Sequence, residues 1–231
     1  MAETHQDQAD ALWGYPSEGE SRWWAAIAVV AALLLQIRLP EKLTIGPRYL
    51  LPALEMALLV PLVVANPSRF SRSSRDTRWL SVTLIAIVNA DNIVSLALLI
   101  RRLLHGGQLS SGSLNGRALV YSAISIWLTG VLVFGLWYWE IDRGGPVKRC
   151  TTDHGPPDFL FPQMENPGVA RTPWTPHFID YMYLSLTNST AFSPTDVLPL
   201  TRQAKAIMAA QSMASLATVA VVGARAVNIL S

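Results

Sequence analysis

Two carboxylates lie inside apolar runs: Asp91 in "AIVNADNIV", with Asn89 and Asn92 beside it, and Glu55 in "LLPALEMALLV". A carboxylate at bilayer depth costs about 3 kcal/mol or more, so each must face protein or water and find a partner. Two such acids suit a proton or cation pathway, and they equally suit a structural hydrogen-bonded cluster with one carboxyl protonated. A second group of oxygens gathers in "LSLTNSTAFSPTDVLPLT", where Ser189, Thr190, Ser193 and Thr195 precede Asp196. Hydroxyls and a carboxylate brought together attract cations without strong discrimination.

Other chemistries find no support in the residues. His5, His105, His154 and His177 fall outside the apolar runs and none pairs at ligand spacing, so neither a metal nor another cofactor is expected. Zincin, nucleophile-elbow and P-loop patterns do not occur, and no enzyme activity is expected. Cys150 is the single cysteine, which excludes a disulfide within the chain. A net charge of +2, spread over short loops, points away from a nucleic-acid partner.

The elements that carry these groups are set by composition: 51% of residues are hydrophobic and 15% charged. A hydrocarbon core of about 30 Å takes roughly 20 apolar residues to cross as a helix. Runs at 23–39, 49–65, 79–103, 118–139 and 204–230 meet that requirement and predict an all-α, polytopic protein of the lipid bilayer with five transmembrane helices. Residues 1–22 form a polar acidic tail without the basic start of a signal peptide. The loops joining the first four spans are short, so successive spans run antiparallel.

Basic residues mark the cytoplasmic side. The first and third loops (Arg38, Lys42, Arg48; Arg101, Arg102, Arg117) outweigh the second (Arg69, Arg72, Arg75, Arg78). The N-terminus is therefore expected outside and the C-terminus in the cytoplasm of a multi-pass cell-membrane protein. The chain divides into a three-span region, 23–116, and a module, 117–231, whose long Pro/Gly-rich connection covers 142–176.

Within that module "FIDYMYLSLTN" is aromatic, amphipathic and too short to cross, so 178–190 is expected as a half-helix dipping into the membrane. Non-helical backbone after it survives at depth only where protein buries it or water lines it. An amphipathic helix lying on the surface is the other reading. In the last span Gln211, Ser215 and Thr218 share one helix face with Val222 and Arg225. That face suits a water-filled pore lining or, equally, a packing seam between helices.

Span, turret, short aromatic helix, polar loop and final span resemble the pore module of tetrameric potassium channels, and Asp196-Val197-Leu198-Pro199-Leu200-Thr201 matches that family's D-x-x-P-x-T. The order is also similar to that of uncharacterised bacterial integral membrane proteins with a degenerate pore loop. The resemblance covers less than half of the chain. It implies a homotetramer, a pore helix at 178–190 and monovalent cations as permeants.

Aligned on Asp196, the filter positions are Ala191, Phe192, Ser193, Pro194 and Thr195, where the family has T, V, G, Y and G. Both glycines are replaced, and Pro194 restricts its own backbone and that of Ser193. A cation pore without potassium selectivity is expected, with four Asp196 carboxylates at its mouth. A ring of four Arg225 would oppose cation flow, so that side chain is expected to point away from the axis. A proton- or cation-coupled transporter using Glu55 and Asp91, or a non-conducting scaffold that kept the fold, are the alternatives.

Overall fold

The structure is a computed structural model. It describes residues 23–44, 49–65, 75–105, 116–150, 155–165, 174–190 and 196–230. The acidic tail and the filter positions Ala191, Phe192, Ser193, Pro194 and Thr195 lie outside the described residues.

Among the described residues seven α-helices follow in order: α1 (Trp23–Ile37), α2 (Leu50–Ala65), α3 (Arg75–His105), α4 (Gly116–Ile141), α5 (Pro162–Glu165), α6 (Phe178–Thr190) and α7 (Arg202–Leu230). Two short strands, β1 (Phe159–Leu160) and β2 (Leu198–Pro199), pair antiparallel with Phe159 opposite Pro199. Three helical stretches, Arg78–Leu103, Arg117–Gly144 and Arg202–Ala224, are long and apolar enough to cross a membrane. The expectation of five crossing helices is met at these three. The other two apolar helices, α1 and α2, are described over 15 and 16 residues.

The bundle is arranged around α4, which packs against α1, α3, α6 and α7, while α2 packs on α1 and α3. Its sequence explains that place: "VLVFGLWYW", in its second half, is apolar on every face and is buried or half-buried throughout, while the first half leaves Tyr121, Ile124 and Leu128 exposed. The main core joins Leu84 and Val88 of α3 to Val133, Phe134 and Tyr138 of α4 and to Tyr181 and Leu184 of α6. A second cluster, Leu39, Leu43, Leu96, Leu99, Leu119 and Ile126, lies where the segment after α1 tucks against α3. Ser95 fastens that segment by donating to the Leu43 carbonyl at 2.9 Å.

α4 and α6 approach closely because Gly135 has no side chain. A Cβ there would overlap the Met182 sulphur and stand 3.4 Å from the Met182 Cα. α4 ends in a left-handed turn, with Arg143 at φ 54°, Gly144 at 84° and Gly145 at 101°. The glycines take up that geometry at little steric cost.

Gly135→Ala is expected to destabilise the purified protein by about 1–3 kcal/mol, as overpacking does, read as a lowered midpoint in chemical denaturation. Gly223→Ala is the control, since a Cβ there meets nothing within 4 Å, and an unchanged or slightly raised midpoint is expected.

Candidate functional site

The module of α4, the turret, α6 and α7 is held at two levels. At the end where α4 finishes and α7 begins, Asp142 is fully buried and joins three segments. Its carboxylate accepts from the Asp158 N–H at 2.8 Å and from the Tyr181 hydroxyl at 2.5 Å. Asp158 in turn accepts from the Arg143 N–H at 3.2 Å and from the Thr201 hydroxyl at 2.6 Å. The Asp158 carbonyl accepts from the Leu200 N–H at 2.8 Å. Burial pushes the Asp158 carboxyl up, partly offset by the hydrogen bond from Thr201. Burial likewise pushes the Tyr181 phenol well above its usual range, so it stays a donor to Asp142.

Arg149 closes the end of α4. Its guanidinium donates to the carbonyls of Trp139 at 2.6 Å and Asp142 at 3.1 Å and stands 5.0 Å from the Tyr181 ring centroid. A cation on the last carbonyls satisfies orphan acceptors and suits the negative end of the helix dipole.

α6 starts at this level. Asp180, in its first turn, accepts from the His177 N–H at 2.7 Å, the reciprocal half of a capping box. The Phe178 ring meets Trp139 edge-on at 5.8 Å. From there α6 runs back along α4: the Ser185 hydroxyl donates to the Val131 carbonyl at 2.7 Å. At the far end the Ser189 carbonyl accepts from the Ser215 hydroxyl, which itself accepts from the Trp127 indole N–H at 2.9 Å. Trp139 and Trp127 are separated by about 18 Å of α4, more than half the thickness of a hydrocarbon core. Within eight residues of Thr190 the chain is back at its starting level, where Leu198 pairs with Leu160.

The second level is centred on Gln211 of α7, 2% exposed. Its amide nitrogen lies 2.9 Å from the Ser185 carbonyl, 2.7 Å from the Ser185 hydroxyl and 2.6 Å from the Ser189 hydroxyl, with two protons to share among them. Its oxygen accepts from the Tyr138 hydroxyl and, at 2.9 Å, from the Asn188 amide. Asn188 also donates to the Met208 carbonyl at 3.0 Å and accepts from Ser212 at 3.1 Å. One carboxamide therefore ties α4, α6 and α7 together.

The sequence-predicted residues divide accordingly. Gln211, Ser215 and Thr218 are buried in their own chain, and Val222 packs beside the second apolar cluster. Within the chain Gln211 and Ser215 meet α6, while the Thr218 hydroxyl donates to the Ala214 carbonyl of its own helix at 2.8 Å. The large apolar side chains that α7 leaves exposed are Met213, Leu216 and Val219. Arg225 lies in α7 with its side chain outside the described residues. Ser189 is buried in the seam and Thr190 is exposed. Asp196 is exposed too; it does not cap α7, because the Thr201 hydroxyl takes the Ala204 N–H at 3.2 Å.

The intramembrane acids face different neighbours from their asparagine companions. Glu55 is fully buried, neither carboxylate oxygen has a hydrogen-bond partner among the described residues, and its helix packs on α3, which carries Asp91. Asn92 points elsewhere, its amide reaching the Gly130 position of α4. It borders an open cleft of roughly 340 Å³ with Trp127, Ser189, Gln211, Ser215 and Thr218. The Asn89 and Asn92 oxygens are unpartnered. Among the described residues no group of three or more His, Cys, Asp or Glu is placed to hold a metal ion.

Sequence reasoning passed over Asp142, Arg149, Asp158 and Tyr181. The signal was "EIDRGG", an acid and a base set between an aromatic run and two glycines.

The fold and the site together define a helical membrane-protein bundle with a short helix seated in its interior. No protein family, curated protein or solved structure matches the chain.

Gln211→Leu, close in volume, strands several buried polar groups and is expected to lower stability by about 2–4 kcal/mol in denaturant titration followed by circular dichroism. Thr201→Val, which removes the Asp158 bond and the α7 cap, is expected to cost about 1–3 kcal/mol. The exposed Asp196→Asn is expected to stay within about 0.5 kcal/mol of the parent.

Proposed function

We propose that the chain is the subunit of a fourfold, channel-like membrane pore for cations, with five spans, the N-terminus outside and a glycine-free filter that does not select potassium. The observation that carries this reading is the seating of α6. A 13-residue helix runs from the Trp139 level of α4 down to Ser215, and the chain is back beside β1 at Leu198. This is the course a re-entrant pore helix takes, and it agrees with the resemblance in the sequence. The C-terminal end of α6, bearing about half a negative charge from its dipole, lies at the cleft bordered by Ser189 and Ser215. A cation is the ligand such an end favours.

Unpartnered faces support the assembly. On α6, Ile179, Tyr183 and Leu186 are exposed in one stripe, and α7 exposes Met213, Leu216 and Val219. Neighbouring copies around an axis would cover the first stripe, and the second would then line the pore.

In planar bilayers the purified protein is expected to carry cation current with little preference between potassium and sodium. Asp196→Asn is expected to lower the conductance several-fold at low salt, where a charged mouth concentrates cations most. Light scattering in detergent is expected to return the mass of four chains. A monomer, or current indifferent to Asp196, would sink the reading.

A further inference from the structure

We infer that Glu55 and Asp91 form a proton-binding site between α2 and α3, two carboxyl groups that hold one proton between them at neutral pH. The site stands apart from the pore module and does not depend on the pore reading. The argument begins with a contrast between two acids of equal burial. Asp142 receives an N–H and a hydroxyl, so its charge is held by donors. Glu55 receives nothing on either oxygen.

Among the described residues of the helices packed against it there is no cation to balance it either. α2 packs on α1 and α3. α1, "WWAAIAVVAALLLQI", has no charged residue, Glu55 is the one ionisable group of α2, and Asp91 is the one charge of α3 between Arg78 and Arg101. A buried ion without partners is costly, and a second carboxylate on the helix packed against it, Asp91 of α3, makes ionisation of both costlier still. A proton removes that cost by forming one O–H bond on a carboxylate oxygen, and the pair then titrates as a unit. The next residue of α3, Asn92, turns to the cleft that Ser189 and Gln211 border, so only the thickness of α3 separates the proton site from that cleft.

The test is infrared spectroscopy of the full-length protein in lipid, following the carbonyl stretch of protonated carboxylic acids as pH is varied. A band that persists at neutral pH and disappears in Glu55→Gln is expected. In Asp91→Asn the loss of the like-charged neighbour is expected to move the band's midpoint towards acid. Circular dichroism checks that each variant folds, and if Glu55→Gln does not, the Asp91→Asn midpoint decides. The inference is overturned if the band is missing at neutral pH, or survives Glu55→Gln unchanged in a folded protein, or if its midpoint ignores Asp91→Asn. Thermal stabilisation by sodium or potassium over N-methylglucamine, present in the parent and lost in Glu55→Gln with no protonated band, would instead make the ligand a cation and overturn it too.

Discussion

A carboxamide in the interior of the bundle governs how the C-terminal half of the chain is built. α6 turns Ser185, Asn188 and Ser189 inward, against α4 and α7. Buried polar groups without partners are costly, and at membrane depth the cost is greater. Gln211 answers with donors and an acceptor on one planar group, so it can serve Ser185 and Ser189 on one side and accept from Asn188 and Tyr138 on the other. A leucine at the same point would fill the space and leave four groups unserved.

The other end is fixed by Asp142, and the two fixtures act on the same helix about 18 Å apart. With the first turn of α6 held through Tyr181 and its last turn through Ser189, the helix cannot slide along α4 without breaking both sets. Gly135 permits the close approach that both sets need. The β1–β2 pair adds the return path, since Leu200 and Thr201 bind Asp158, which is itself bound to Asp142.

Local pattern carried much of this into the sequence. The half-helix at 178–190 was readable with its bounds because an aromatic, amphipathic stripe is a property of consecutive residues. The row Gln211, Ser215 and Thr218 was readable as a face, yet periodicity names a face without naming what lies opposite, and the pore lining and the packing seam were equal on that ground. The neighbour that Gln211 meets within the chain is α6, through Ser185 and Ser189. The Asp142–Asp158–Thr201 chain was not readable, since its members are far apart in sequence and no spacing rule joins them.

The match to D-x-x-P-x-T takes a different meaning from this geometry. Pro199 lies in β2 opposite Phe159, Thr201 caps α7 and binds Asp158, and Asp196 stands free in solvent. Two of the three matching residues therefore belong to the clamp that seats α7. Among the described residues, the contacts that seat α6 and α7 come from 127–149, 158–161, 177–189 and 198–215. A scaffold held in this way can keep its shape while the loop between α6 and β2 changes its chemistry. The motif thus reports on the seating of the last helix, and selectivity has to be argued from the loop residues alone.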